Sequence, residues 1–263
     1  MIFPELTWVL LLVAAALCAI GFYKFVYVMS VGYGLAVGGI GAAIFIIALI
    51  RGNLTPVMAV LCLLLLVYGI RLGGFLLVRE IKSAAYRKTL NAQTGKPVPI
   101  FVKIFMWIFM AVLYVMEASA IWYREAAAPD GPQLTAWIGA LIMLCGILLE
   151  ALADRQKSEA KKIDPNRPAM DGLYKFSRCP NYFGEITFWT GVFISGWGVL
   201  KGGQWIVAIL GYLMILGIMI SGAQRLEKRQ NKNYGHMPEY RAYVEKTPIL
   251  VPFIPVYHLV KEK

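Results

Sequence analysis

The sequence predicts an all-α, polytopic integral membrane protein with about seven transmembrane helices, its N-terminus outside and its C-terminus cytoplasmic. Three observations carry that expectation. Hydrophobic residues make up 59% of the 263, and the mean hydropathy is +0.64, above the range of soluble domains. Apolar stretches of the ~20 residues that a ~30 Å hydrocarbon core requires recur along the whole chain. Lys and Arg, finally, fall almost entirely on one side of the spans so defined.

The spans are read near residues 6–23, 25–50, 54–78, 98–122, 134–152, 183–200 and 204–222, with only a short break at Lys24 between the first two. Met-Ile-Phe-Pro-Glu5 has no basic run, and no small-residue cleavage site follows the first apolar stretch, so that stretch reads as a retained span. Orientation follows from charge. Lys24, six basic residues in 79–103, seven in 155–178 and eight from Arg225 onward share one side, 22 of the 26 in the chain. The other side receives Arg51, Arg124 and Lys201, and Arg71 lies inside a span. Basic residues near span ends stay cytoplasmic, which places the 155–178 loop and the tail in the cytoplasm. The same skew accounts for the net charge of +11 without nucleic acid, and suits anionic headgroups of membrane lipids or a phosphorylated ligand.

Cysteine and histidine bound the chemistry by their scarcity. Cys18, Cys62 and Cys145 lie in expected spans and Cys179 in a loop, which implies no disulfide framework. His236 and His258 are the only histidines, and no HExxH or CxxC spacing exists, so no metal site is expected. GxSxG and Walker A sequences are absent, and with them a hydrolase elbow and a P-loop. No obligate protein partner is evident. Gly34, Gly38, Gly39 and Gly41 on the second span read as close helix packing, because no strand precedes them and their neighbours are apolar.

A polar stripe is more informative. Tyr68, Arg71, Phe75, Arg79 and Lys82 on the third span fall within roughly an 80° arc of one helical face. Arg71 sits about 12 Å inward of the cytoplasmic end at ~1.5 Å per residue, where a guanidinium needs a polar cavity, an acid or a bound anion. Trp107, Tyr114 and Glu117 share a face of the fourth span, and Glu117 is a candidate partner for Arg71. The loop from Asp164 to Glu185 runs straight into the sixth span and combines Asn166, Arg167, Asp171, Tyr174, Ser177, Arg178, Asn181, Tyr182 and Glu185. Its donors, acids and aromatic faces suit the phosphate, ribose and base of a nucleotide. Asn181 and Glu185 are one turn apart on one helical face, and Asn181 is placed to cap that helix, whose N-terminus attracts phosphate.

At these residues the chain resembles the steroid 5α-reductase-like membrane reductases, particularly their bacterial branch. Asp171-Gly-Leu-Tyr-Lys-Phe-Ser-Arg-Cys-Pro-Asn-Tyr-Phe-Gly-Glu-Ile186, followed by Trp189, is similar to the family signature, and Glu239-Tyr-Arg-Ala-Tyr-Val-Glu-Lys-Thr-Pro248 with Pro255 to its C-terminal motif. The resemblance covers roughly 60–257. It implies seven spans in a bacterial inner membrane and an NADPH cavity with cytoplasm-facing loops. It also implies reduction of a carbon-carbon double bond conjugated to a carbonyl in a lipid, such as a 3-oxo-4-ene steroid. Residue by residue, Asn181 and Glu185 match the family's cofactor-contacting pair, and Asn166, Arg167, Asp171 and Arg178 fall in its cofactor loop. Tyr234 approximately matches a Tyr near the nicotinamide or phosphates and Tyr243 the Tyr of the tail motif, and Tyr174, Ser177, Tyr182, Tyr240, Arg79 and Lys82 join the expected cofactor set. Tyr68-Gly-Ile-Arg71 resembles a Tyr-x-x-Arg whose Tyr donates to the substrate carbonyl. Residues 1–122 would then form the lipid-substrate side of a single membrane domain, and 123–263 the side with the cofactor loops.

The chain departs from the steroid reductases in one place. They carry a Gln-Glu pair in the second span, whereas residues 25–50 here contain no Asp, Glu or Gln. The nearest acids are Glu80, at the cytoplasmic edge, and Glu117. A hydride attacking the β-carbon needs an acid at the carbonyl to stabilise the developing enolate, and Tyr68 is the leading candidate. Arg71 could favour the ionised phenol or bind a cofactor phosphate. A second class, the isoprenylcysteine and phospholipid methyltransferases, has a similar Arg-x-Pro-x-Tyr loop and binds S-adenosylmethionine. A His normally follows the Arg there, where Cys179 stands here. A lipid-binding protein without turnover is the third reading.

Overall fold

A computed structural model describes residues 2–82, 98–127 and 133–260, and the greater part of the expected 79–103 connection lies outside them. The described elements are helical. They are α1 (Glu5–Cys18), α2 (Val31–Ile50), α3 (Pro56–Lys82), α4 (Ile100–Glu117), α5 (Ser119–Ala126), α6 (Gln133–Ile163), α7 (Pro180–Ser195), α8 (Gln204–Tyr234) and α9 (Pro238–Lys246). Among the described residues, six segments are long and apolar enough to cross a membrane: Glu5–Phe22, α2, α3, α4, α6 and α8. Within their most apolar stretches only a third to a half of the residues are buried by protein. Leu12, Ile70, Phe101, Leu134 and Ile206 on these helices all point outward, so the outer faces require lipid and the chain is a multi-pass integral membrane protein.

Three spans differ from expectation. The segment expected at 183–200 is α7, whose 16 residues span about 24 Å, short of the hydrocarbon thickness. It ends where Gly196 and Gly198 follow, Gly198 with the left-handed φ of +84° that terminates a helix at little cost. The break at Lys24 is wider than the sequence suggests. Lys24 is extended between the 3₁₀ turns Ala19–Phe22 and Phe25–Met29, so α2 begins at Val31 rather than at residue 25. The stretch 98–122 is divided at Ala118 into α4 and α5.

The chain forms two compact units, Met1–Ala140 with Val192–Tyr212, and Leu141–Gly191 with Leu213–Lys263. In the first, α2 and α3 meet backbone to backbone. A Cβ on Gly34 would stand 2.6 Å from Gly73 N and 2.7 Å from Gly69 O, so the glycines are packing devices, as their apolar setting suggested. Trp107 Nε1 donates to Ala15 O at 2.7 Å and ties α4 to α1. Lys24 Nζ lies 2.5 Å from Glu80 Oε1, and the Tyr27 hydroxyl donates to Glu80 Oε2 at 2.9 Å. Glu80 thus serves to close the Lys24 break against the end of α3. Arg51 pairs with Glu125 at 3.2 Å, and Arg124 donates to Ser195 O at 2.7 Å and Trp197 O at 3.3 Å. Arg51, Arg124 and the turn leading to Lys201 therefore gather at one end of this unit, as alternating spans require.

The second unit packs the 164–185 loop and the 239–255 tail around its own portions of α6, α7 and α8. Gly146 brings α6 against α7, since a Cβ there would stand 2.5 Å from Phe188 N. Cys179, Ala223, Leu226, Ile249 and Leu250 form its buried apolar cluster, flanked by Tyr182, Ile186 and Val251.

Candidate functional site

Within the second unit, the 164–185 loop is built from its own backbone outward. Asn166 N donates to Asp164 Oδ1 at 2.9 Å, a side-chain turn that starts the loop after α6. Lys161 Nζ then gathers Pro165 O at 2.8 Å, Arg167 O at 2.5 Å and the Tyr234 hydroxyl at 2.7 Å, which fixes the turn to the end of α8. Arg167 pairs with Glu239 at 2.8 Å, both partly exposed. Glu239's own backbone N–H, and then Arg167, hold its carboxyl below the usual range.

Further along, Gly172 takes a φ of +64°, and Leu173 N donates to Gln156 Oε1 at 2.8 Å. Loop and tail are joined by Ser177 Oγ donating to Leu250 O at 2.8 Å, Arg178 N to Pro248 O at 2.9 Å, and the Tyr243 hydroxyl to Tyr174 O at 2.7 Å. The two stretches singled out in the sequence thus form one assembly. The Tyr174 hydroxyl donates to Ala153 O and that of Tyr240 to Asn231 Oδ1 at 2.7 Å. Burial pushes the Tyr174 and Tyr243 phenols up and the Tyr240 phenol up to about 12, so all three remain neutral donors near pH 7. The hydroxyls of Tyr174 and Tyr243 are engaged in holding the loop, and that of Tyr240 ties α9 to α8.

Arg178 is 1% exposed. Its Nη2 donates to Glu227 Oε1 at 2.8 Å and to Tyr257 O, while Glu227 Oε2 accepts from Leu259 N at 2.9 Å and Val260 N at 3.1 Å. His258 Nδ1 stands 3.4 Å from the same carboxylate. Glu227 and Lys161 escaped the reading of the sequence. Glu227 looks like one more charge in the basic run 225–232, and Lys161 like a solvated helix end.

α7 begins at Pro180, and the Cys179 carbonyl accepts its first bond from Phe183 N at 3.1 Å. Asn181 therefore sits in the first turn and does not cap the helix as expected, because Pro180 takes the first helical position, where its missing N–H costs nothing. Asn181 Oδ1 is buried and has no hydrogen-bond partner among the described residues. Glu185 follows one turn later, 7% exposed, on the same face. Tyr182 packs beside Gly222, where a Cβ would come within 3.3 Å of its ring. Asp171 lies exposed beside Lys175 at 3.4 Å. The Cys179 thiol is pushed up to about 12, mainly by burial, which makes it a poor nucleophile.

In the first unit, α3 carries the expected stripe as one unbroken helix. Tyr68 is fully buried, Arg71 and Phe75 half-buried, and Arg79 and Lys82 exposed in the last turn. The Tyr68 hydroxyl shares a 3.2 Å hydrogen bond with that of Tyr33. Tyr33 stacks on Tyr114 at 4.8 Å, and the Tyr114 hydroxyl donates to Val28 O at 2.8 Å. Glu117 is buried at the last position of α4. Tyr33 was missed because it stands between two glycines on a span that shows no polar face.

Comparison with known proteins matches residues 25–247 to a family described as "Protein of unknown function (DUF1295)". The chain belongs to this family. A curated relative, 3-oxo-5-alpha-steroid 4-dehydrogenase 1 of Bos taurus, is 22% identical over 163 residues, covering 61% of the chain. The match spans 58% of that relative's length. No solved structure matches.

Proposed function

We propose that this DUF1295 chain is a membrane-embedded, NADPH-dependent reductase of the steroid 5α-reductase-like kind, acting on an enone lipid such as a 3-oxo-4-ene steroid. The observation that carries the cofactor half is Asn181 Oδ1, a buried acceptor with no partner among the described residues, on one face with Glu185. A buried acceptor left unmade costs about 1–3 kcal/mol, and the carboxamide N–H of a nicotinamide is the donor that would satisfy it. The residues present therefore fit the cofactor. Similarity to a steroid 4-dehydrogenase supports the substrate class.

NADPH, when bound, supplies the hydride. Asn181 and Glu185 would hold its nicotinamide end, and Asn166, Arg167, Asp171 and Tyr182 its phosphates and ribose. Arg178, Tyr174, Ser177, Tyr234 and Tyr243 keep that loop in one shape, through the bonds described above, and Tyr240 ties the tail helix to α8. Arg79 and Lys82 belong to the cofactor set by their charge. At the other substrate, Tyr68 donates a hydrogen bond to the carbonyl oxygen and stabilises the negative charge that develops there as hydride reaches the β-carbon, without giving up its proton, and a proton from solvent then adds at the α-carbon to complete the reduction. Arg71 and Glu117 set the field around that hydroxyl.

Titration calorimetry of detergent-purified protein with NADPH, NADH and S-adenosylmethionine tests the reading. NADPH binding is expected, and Asn181→Ala and Glu185→Ala should each weaken it roughly ten- to a hundred-fold in folded protein. S-adenosylmethionine binding without NADPH binding would move the chain to the methyltransferase class.

The same reading places the N-terminus outside and the loop in the cytoplasm, on the 22 of 26 basic residues that alternate spans bring to one side. In sealed cells, Met170→Cys should resist an impermeant maleimide and Lys201→Cys should react. The reverse pattern inverts the topology and removes the loop from the cytoplasmic cofactor pool.

A further inference from the structure

Resting on the reductase reading, we propose that Tyr33 is the positioning residue for Tyr68, a second buried phenol that holds the Tyr68 hydroxyl and aims its proton at a steroid carbonyl. The two oxygens are 3.2 Å apart and the rings meet edge to face, with centroids at 6.2 Å and planes at 74°. Two phenols in hydrogen-bond contact have one arrangement that leaves a proton for a third group. If Tyr68 donates to a carbonyl, its oxygen can still accept, and the Tyr33 hydroxyl stands at hydrogen-bond distance to donate.

The surrounding structure holds the two hydroxyls within reach of each other. Tyr33 is the third residue of α2 and 7% exposed, and Tyr68 is fully buried. Their chain neighbours, Gly34 and Gly69, are among the residues at which α2 and α3 touch, where a Cβ on Gly69 would run into Gly34 O. The tightest point of the helix pair therefore lies one residue from each phenol and sets their separation. Tyr114 supports the Tyr33 ring from its face, and donates its own hydroxyl proton to Val28 O. α2 offers no Asp, Glu or Gln for this work, so Tyr33 is the polar side chain it brings to Tyr68.

Accepting a hydrogen bond strengthens the one a hydroxyl donates, by about 10–30% in condensed-phase estimates, and stops the hydroxyl from rotating. Both tyrosines keep their protons throughout. Tyr33→Phe keeps the ring on Tyr114 and removes one hydrogen bond, and should slow single-turnover enone reduction about three- to tenfold with NADPH affinity unchanged.

A spectroscopic readout separates this role from packing. Hydrogen bonding to an enone carbonyl lowers its excited state and moves the ultraviolet band to longer wavelength. Progesterone, a 3-oxo-4-ene steroid, is the probe. Its band should move on binding to the parent, lose most of that shift in Tyr68→Phe, and lose part of it in Tyr33→Phe. Tyr114→Phe, which gives up a bond to the backbone beside the same ring stack, should keep the full shift. A parental shift in Tyr33→Phe, or an equal loss in Tyr114→Phe, overturns the proposal. A parent that leaves the band unmoved also overturns it. If that parent still binds NADPH, the cofactor half of the reductase reading stands while the steroid carbonyl is lost.

Discussion

Glu227→Gln should lower the thermal midpoint of the protein by on the order of 10 °C and release its C-terminal segment to protease. The substitution keeps the shape of the side chain and removes its charge. Arg178 is then a guanidinium 1% exposed to solvent that faces neutral acceptors, the Gln amide oxygen and the Tyr257 carbonyl, in place of a carboxylate. Removing one partner of a buried ion pair typically costs about 3–5 kcal/mol, because the remaining charge stays desolvated without compensation. For a chain of this size each kcal/mol corresponds to about 2–4 °C. The tail is exposed to the same change, since Leu259 N and Val260 N both donate to Glu227 Oε2. Replacing both charges together, Arg178→Met with Glu227→Leu, should recover most of the loss, as apolar isosteres of buried pairs do. Equal destabilisation in the single and the double variant would show that packing, not charge, holds this junction.

The contrast between this pair and the spans shows what the sequence could convey. A span announces itself locally, in about 20 apolar residues, and α3, α6 and α8 begin where the composition put them. Where local signals conflict, boundaries moved. Lys24 could be carried by a continuous helix or break it, and the extended backbone there is stabilised by Glu80, 56 residues away. α7 stops early because glycines follow it. The two stretches around Ser177 and Tyr243 were recognisable as motifs, yet the bonds that join them connect residues 69 to 73 positions apart. Glu227 meets Arg178 across 49 positions, and Tyr33 meets Tyr68 across 35. No periodicity encodes such meetings. Glycine spacing was the nearest thing to a signal, since Gly34 and Gly69 mark the contact that sets the two phenols together.

Tyr68→Phe is expected to reduce hydride transfer about 10²–10³-fold while leaving NADPH affinity near its parental value. The rate is affected because the phenol is proposed to act on charge that is present at the carbonyl oxygen only as the transition state forms, and losing one such donor typically costs that much. Affinity is spared because the residues proposed to hold the cofactor are those of the 164–185 loop and its tail. Structural damage should be small, since the ring that packs against Tyr33 remains and only one hydroxyl is lost from a buried site. What is lost on the Tyr33 side is one neutral hydrogen bond, worth about 0.5–1.5 kcal/mol, too little to account for a hundredfold change in rate. The measurement is single-turnover oxidation of bound NADPH with an enone lipid that the parent reduces. A rate within a few-fold of the parent assigns Tyr68 to packing, and Glu117→Gln is then the substitution to measure, because Glu117 is the buried acid one turn beyond Tyr114 on α4. A hundredfold loss in Tyr68→Phe together with a three- to tenfold loss in Tyr33→Phe would order the two phenols as donor and support, Tyr68 acting on the substrate and Tyr33 acting through it.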